Sequence, residues 1–126
     1  MNPVGGRPRC LVIHPGALGD VLLALPALAH LGALGFQRIL AAAPRLGPLL
    51  VPGGFAETVL DLEGLGLHRL FVGEAPADLR ATIASVDAVV SWLGAGEPAY
   101  AERLARLGRP LVVARARPPG GERRPA

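Results

Sequence analysis

The sequence predicts an α/β fold in which a parallel sheet is flanked by helices. Short, continuous apolar runs, among them Cys10-Leu11-Val12-Ile13, Arg38-Ile39-Leu40-Ala41-Ala42 and Leu111-Val112-Val113-Ala114, have the form of strands buried on both faces. Segments with helical spacing separate those runs, and strands that alternate with helices make βαβ units with right-handed crossovers. At 126 residues, 51% of them hydrophobic, the chain holds one domain of this kind. Its 17 Gly and 13 Pro approach the composition of disordered chains, but abundant Leu, Val and Ala supply the core that such chains lack.

Met1 to Arg9, rich in Gly and Pro, reads as a flexible arm. The first strand, Cys10 to Ile13, stops at His14-Pro15, and Gly16 to Asp20 turns into a helix from about Val21. Pro26 is tolerated early in that helix or kinks it, and Gly32 or Gly35 ends it. The helix is apolar on nearly every side, so burial between neighbours is expected. Arg38 to Ala42 forms the second strand, Arg45 to Val51 a short helix, and Thr58 to Leu62 the third strand after the Pro52-Gly53-Gly54 turn. Leu65 to Val72 reads as a short helix or an irregular crossover. Leu79, Ile83 and Val86 mark one face of a helix over Asp78 to Ser85, and the fourth strand spans Asp87 to Trp92. Pro98 opens a last helix with Tyr100, Leu104 and Leu107 on one face; Gly108 stops it, and Leu111 to Ala114 is the fifth strand. Residues 10–115 thus form a Rossmann-like domain of about five parallel strands. Residues 116–126 carry no periodic apolar residue and read as a disordered tail or the start of an interdomain linker. A strand order of 3-2-1-4-5 opens a crevice at the carboxyl ends of strands one and four, where His14 to Asp20 and Leu93 to Glu97 both fall.

Composition excludes several functions. All thirteen basic residues are Arg, the net charge is only +3, and the arginines are scattered, whereas a reader of nucleic-acid phosphates needs a stripe of cations. Cys10 is the only cysteine, which excludes an internal disulfide or a zinc site of cysteine pairs and points to a reducing compartment. Val21 to Phe36 is too short and too interrupted by Pro26, His30, Gly32 and Gly35 to span a membrane. His14 and Asp20 break any signal-peptide reading of the amino terminus. The expected location is the cytoplasm, with at most peripheral membrane contact.

Gly16 and Gly19 allow a tight turn and let a ligand approach the backbone ahead of a helix N-terminus, which suits a phosphate. Asp20 puts a carboxylate where the phosphate charge would go, and neither a Lys-Ser/Thr pair nor G-x-G-x-x-G spacing is present. Two roles for Asp20 stay open. Carboxylates near a helix N-terminus are stabilised as anions, so this one can take a proton from a hydroxyl in the crevice; Asp is also a preferred N-cap. His14 is a packed imidazole or an acid-base group, and Trp92 a core ring or a sugar-stacking platform. Glu97 caps its helix or binds sugar hydroxyls. Arg45, His68 and Arg69 read as solvated charge that could meet an anion, and His30 as helix surface.

The run Leu11-Val12-Ile13-His14-Pro15-Gly16-Ala17-Leu18-Gly19-Asp20-Val21-Leu22-Leu23-Ala24-Leu25-Pro26-Ala27-Leu28 resembles the opening of the heptosyltransferase family, glycosyltransferase family 9. That family combines a strand, a Gly-x-x-Gly-Asp turn and a Leu-x-x-Pro-Ala-Leu helix. Weaker similarity continues through the second strand and Asp87 to Gly94. The resemblance implies the amino-terminal half of a GT-B architecture, two Rossmann-like domains facing across a cleft. It implies transfer of heptose from ADP-heptose to the inner core of lipopolysaccharide, with inversion and without a metal or other cofactor. Asp20 then corresponds to the general base, and the acceptor lies among His14, Gly16, Gly19, Trp92, Gly94 and Glu97. Family members often carry Arg or Lys at the position of His14, so contact with an anionic acceptor is weakened here or made pH-dependent. The donor-binding half is expected outside this chain, leaving it inactive alone and paired with a second glycosyltransferase domain or another copy. Two other readings remain: a nucleotide- or anion-binding module using the same turn, and a non-catalytic remnant or interaction domain.

Overall fold

The computed structural model describes residues 6–114. It is a five-stranded, all-parallel sheet flanked by helices, a Rossmann-like arrangement, with strand order β3-β2-β1-β4-β5 as expected. The strands are β1 (Arg9–Ile13), β2 (Gln37–Ala42), β3 (Thr58–Asp61), β4 (Ala88–Ser91) and β5 (Leu111–Val113). The helices are α1 (Leu18–Ala33), α2 (Gly47–Leu50), α3 (Leu62–Leu65), α4 (Ala77–Ala84) and α5 (Pro98–Ala105). One 3-10 turn, Pro44–Leu46, precedes α2, and another, Leu67–Phe71, follows α3 and occupies the stretch left open between helix and crossover. The expected tail, and most of the expected arm, lie outside the described residues. Within the arm, the Pro8 carbonyl already accepts the Gln37 amide, and β1 begins at Arg9.

Alternation along the strands divides the core in two. Leu11, Ile13, Ile39, Ala41 and Val89 pack beneath α4, α5 and the Leu67–Phe71 turn, joined by Leu67, Leu70, Leu79, Ile83, Tyr100 and Leu104. Cys10, Val12, Leu40 and Ala42 point the other way, to Val21 and Leu28 of α1 and Leu46 and Leu50 around α2. Full burial of one such aliphatic side chain contributes about 1.5–3 kcal/mol. β1 is central: Leu11 lies opposite Ile39 on one side and Val89 on the other. Burial pushes the Cys10 thiol up to about 11, which leaves it inert as a nucleophile at neutral pH.

α1 departs from expectation at its start and on its outer face. It begins at Leu18 rather than near Val21, and Pro26 stands well inside it. Its carboxyl end follows the glycine signal: Gly35 takes a left-handed φ of 96°, its amide donates to the Gly32 carbonyl, and the Phe36 amide donates to the Leu31 carbonyl. The expected burial all round is corrected. Val21, Ala24 and Leu28 are buried, but Leu22 and Leu23 are 49% and 67% exposed, because nothing among the described residues covers the side of α1 away from the sheet. Among the described residues, no helix is long and apolar enough to cross a membrane.

At the amino-terminal edge of the sheet an ion pair escaped the sequence reading. Arg38 opens β2 and is buried; its guanidinium donates to both Glu57 carboxylate oxygens, at 3.2 and 2.9 Å, to the Leu28 carbonyl of α1 and to the Gly54 carbonyl. Hydrogen bonds from Arg38 hold the Glu57 carboxyl at about 2, well below the usual carboxylate range. Gly32 is small for the same reason: a Cβ there would lie 2.8 Å from the Arg38 guanidinium.

Candidate functional site

The carboxyl ends of β1 and β4 meet at the point where the connections leave the sheet in opposite directions. Ile13 ends β1 and its carbonyl accepts the amide of Trp92, one residue past β4, while the His14 amide donates to the Ala41 carbonyl of β2. The sheet therefore hands His14 and Trp92 to the same spot. Their rings stack with centroids 5.5 Å apart and planes inclined by 29°. His14 is buried and Trp92 half-buried, its indole against the core on the α1 side. The imidazole thus takes one face of the indole and closes that face to a stacking sugar.

Gly16 follows at once, and its amide donates to His14 Nδ1 over 3.0 Å. A backbone amide can only donate, so Nδ1 is unprotonated and the neutral ring carries its hydrogen on Nε2. Burial lowers the His14 pKa below its ordinary value, and the negative charge of Asp20 opposes that shift. Gly16 needs its missing side chain for space: a Cβ there would lie 2.5 Å from Asp20 Cβ, 2.8 Å from His14 Cε1 and 3.0 Å from Asp20 Oδ2. Gly19 faces open space and has no such requirement.

Asp20 stands in the first turn of α1 and is exposed. Its capping role is corrected: the N-cap is Ala17, without a side-chain cap bond, and Asp20 lies three residues further on. The reason is the early helix start, which carries Asp20 past the cap position into the positive end of the helix dipole. Among the described residues its carboxylate accepts no hydrogen bond, so both oxygens are free to take one from a ligand.

Asp20 borders, through Gly16, a cleft of about 370 Å³ lined by Pro15, Gly16, Ala17, Arg45, Asp61 and Glu63 among others. Pro15, Leu62 and Glu63 also line a larger neighbouring cleft of about 660 Å³ that reaches His68, Phe71 and Leu93. Asp61 and Glu63, neither of them anticipated, come in through a local signal: Asp61 Oδ1 accepts the Glu63 amide at 3.1 Å and caps α3. An Asp-x-Glu at the end of a strand is the trace this leaves in the sequence.

Gly94 and Glu97 are not part of that constellation. They line a separate cleft of about 250 Å³ with Pro98, Ala101 and Val113. Gly94 has a φ of +97°, and a Cβ on it would lie 2.1 Å from the Tyr100 ring, so its close neighbour is the protein's own core rather than a ligand. Glu97 sits at the N-cap of α5 but its side chain makes no capping bond and is exposed, which corrects the capping expectation. Beneath this loop Tyr100 is fully buried, its ring stacked on Phe71 at 4.6 Å. Burial raises its pKa; the nearby Ser91 hydroxyl opposes the shift but does not complete a hydrogen bond with the phenol. Ser91 is occupied with Leu93, whose carbonyl it donates to and whose amide it accepts.

The described residues contain no group of three or more His, Cys, Asp or Glu side chains placed to hold a metal ion. Compared with protein-family models, with curated proteins and with solved structures, the chain gives no match.

Proposed function

We propose that this domain is the acceptor-binding half of a cytoplasmic glycosyltransferase, of the kind that moves a heptose-like sugar from a nucleotide-sugar to a lipopolysaccharide-core-type saccharide. The observation that carries the reading is the exposed Asp20 carboxylate at the rim of the switch-point crevice, whose oxygens accept no hydrogen bond among the described residues. In this reading Asp20 accepts the proton of an acceptor hydroxyl as that oxygen attacks the anomeric carbon of the donor. The nucleoside diphosphate leaves from the opposite side, and the configuration inverts. A base positioned within hydrogen-bond reach accelerates such a step by about 10²–10⁴-fold.

Electrostatics support a polyol over a phosphate at this rim. Asp61 and Glu63 line the clefts and Asp20 stands next to them across Gly16, against Arg45, and like charge would repel a nucleotide placed on the first turn of α1. The donor needs a second unit, on another chain or another domain. Leu18, Leu22 and Leu23 of α1, exposed beside Asp20, give that unit an apolar surface to meet.

Trp92 is the only tryptophan, so its fluorescence reports on this site. Titration with a heptose-bearing core oligosaccharide is expected to shift Trp92 emission and the Gly16 and Asp20 amide resonances, whereas ATP, NAD and inorganic phosphate leave them unmoved. Binding of the nucleotides or phosphate at those amides, with no response to the saccharide, would overturn the proposal.

A further inference from the structure

We propose that His14 is a positioning residue for the Asp20 carboxylate: by accepting the Gly16 amide it holds the turn before α1 in the shape that sets the carboxylate on the rim, and it does so only while neutral. The inference rests on Asp20 being the base, but the hold itself can be seen without any substrate.

The turn has few other anchors. Pro15 has no amide hydrogen, and the Gly16 amide spends its hydrogen on His14 Nδ1 at 3.0 Å. The first turn of the helix closes on Ala17, whose carbonyl accepts the Asp20 and Val21 amides. His14 itself is fixed on three sides. Its backbone amide is tied to Ala41 in β2, Trp92 covers one ring face, and Gly16 packs against Cε1 closely enough to exclude a methyl group.

A proton on Nδ1 converts the acceptor into a donor aimed at another donor. Rotation of the ring does not restore the contact, because it offers carbon in place of nitrogen. The Gly16 amide then loses its partner, and Asp20, whose Oδ2 lies 3.0 Å from the same point above Gly16, faces a full positive charge. Pairing with the imidazolium draws the carboxylate inward, away from an incoming hydroxyl. Among the described residues Asp20 of α1 is the charged group that acts on His14; β2 presents a backbone carbonyl and the end of β4 presents the uncharged indole. Burial favours the neutral ring, so the hold is engaged at neutral pH and released on acidification below the ordinary value of 6.5.

Asparagine separates positioning from bulk packing. Its side-chain oxygen accepts an amide two residues ahead, as His14 does here, and it does not titrate. Amide spectra of the whole chain are recorded from about pH 8 to about pH 5 for the wild type, His14→Asn and His14→Leu. In the wild type the Gly16 and Asp20 resonances are expected to move together with one midpoint, the same as that of the His14 ring and below 6.5. His14→Asn is expected to keep the neutral-pH positions throughout, and His14→Leu to show displaced ones at every pH. Stationary Gly16 and Asp20 resonances while His14 titrates would overturn the inference, as would an Asn variant that follows the wild-type pH curve. Should His14→Leu fail to fold, the wild type and the Asn variant decide between those outcomes. Saccharide binding without the coupled titration removes this inference alone; the coupled titration without saccharide binding removes the acceptor reading and leaves the hold.

Discussion

The two ends of the sheet are built on opposite terms. At the amino-terminal edge Arg38 and Glu57 are saturated: the guanidinium serves a carboxylate and two carbonyls, and Arg7 adds a further contact to Glu57 at 3.4 Å. At the carboxyl-terminal edge Asp20 is exposed with no partner among the described residues, and a neutral histidine holds the turn through one hydrogen bond. Satisfied charge ties α1, β2 and the approach to β3 together where no ligand is needed. Unsatisfied charge is left where the helix dipole favours an anion and water or a ligand can reach it. Satisfied and unsatisfied charge thus lie at opposite ends of the same five strands, and the chemistry proposed above falls at the second.

The sharpest way to break that contrast is Glu57→Gln. It leaves the buried Arg38 without its counter-charge and is expected to cost about 3–5 kcal/mol, read as a fall of more than roughly 10 °C in Tm. Loss of under about 1 kcal/mol would show that the pair is not the staple described. Acid titration gives the same information through linkage. The Glu57 pKa is lowered on folding, so its stabilisation is complete above 4.5 and is lost as pH falls from there to about 2. The Gln variant is expected to lack that part of the acid slope, measured by denaturant unfolding at each pH.

Gly94→Ala comes next. A left-handed φ of +97° costs a non-glycine residue about 1–3 kcal/mol, and the added methyl meets the Tyr100 ring as well. A variant as stable as the wild type would mean that the loop shifts freely over α5. Gly19→Ala, in open space and in the first turn of α1, is expected to be neutral or stabilising by up to about 1 kcal/mol. Asp20→Asn closes the series with a change in stability of under about 0.5 kcal/mol. In the presence of a donor-binding unit the same variant is expected to lose transfer by about 10²-fold or more. Full transfer activity in Asp20→Asn would take the carboxylate out of the chemistry.

Much of this was readable from local pattern. The apolar runs place all five strands to within a residue or two, and the helical faces marked by Leu79 and Ile83 and by Tyr100 and Leu104 are the ones that α4 and α5 bury. His14, Gly16, Asp20 and Trp92 were drawn from two separate segments and do meet. Their neighbours Gly94 and Glu97 share the same edge but a different cleft, because the chain after β4 turns toward β5 rather than back toward β1. Asp20 reads as a cap because Asp is a preferred N-cap residue and the apolar run starts just after it, while the helix begins two residues before it. Arg38 and Glu57 are not legible as partners, since their contact spans 19 positions; Asp61 and Glu63 leave a local Asp-x-Glu cap signal, but not the cleft that they border.

Hydrophobic period and glycine placement, which act over a few residues, decided the class of fold, the order of its elements and the residues facing the core. Pairings between distant positions came from elsewhere. Which carboxylate would be buried against an arginine and which left bare, and that a histidine would close a turn with its unprotonated nitrogen, were settled only when parallel pairing brought the strand ends side by side. Charge and hydrogen bonding act through space at a few ångströms, and a linear string does not carry those distances.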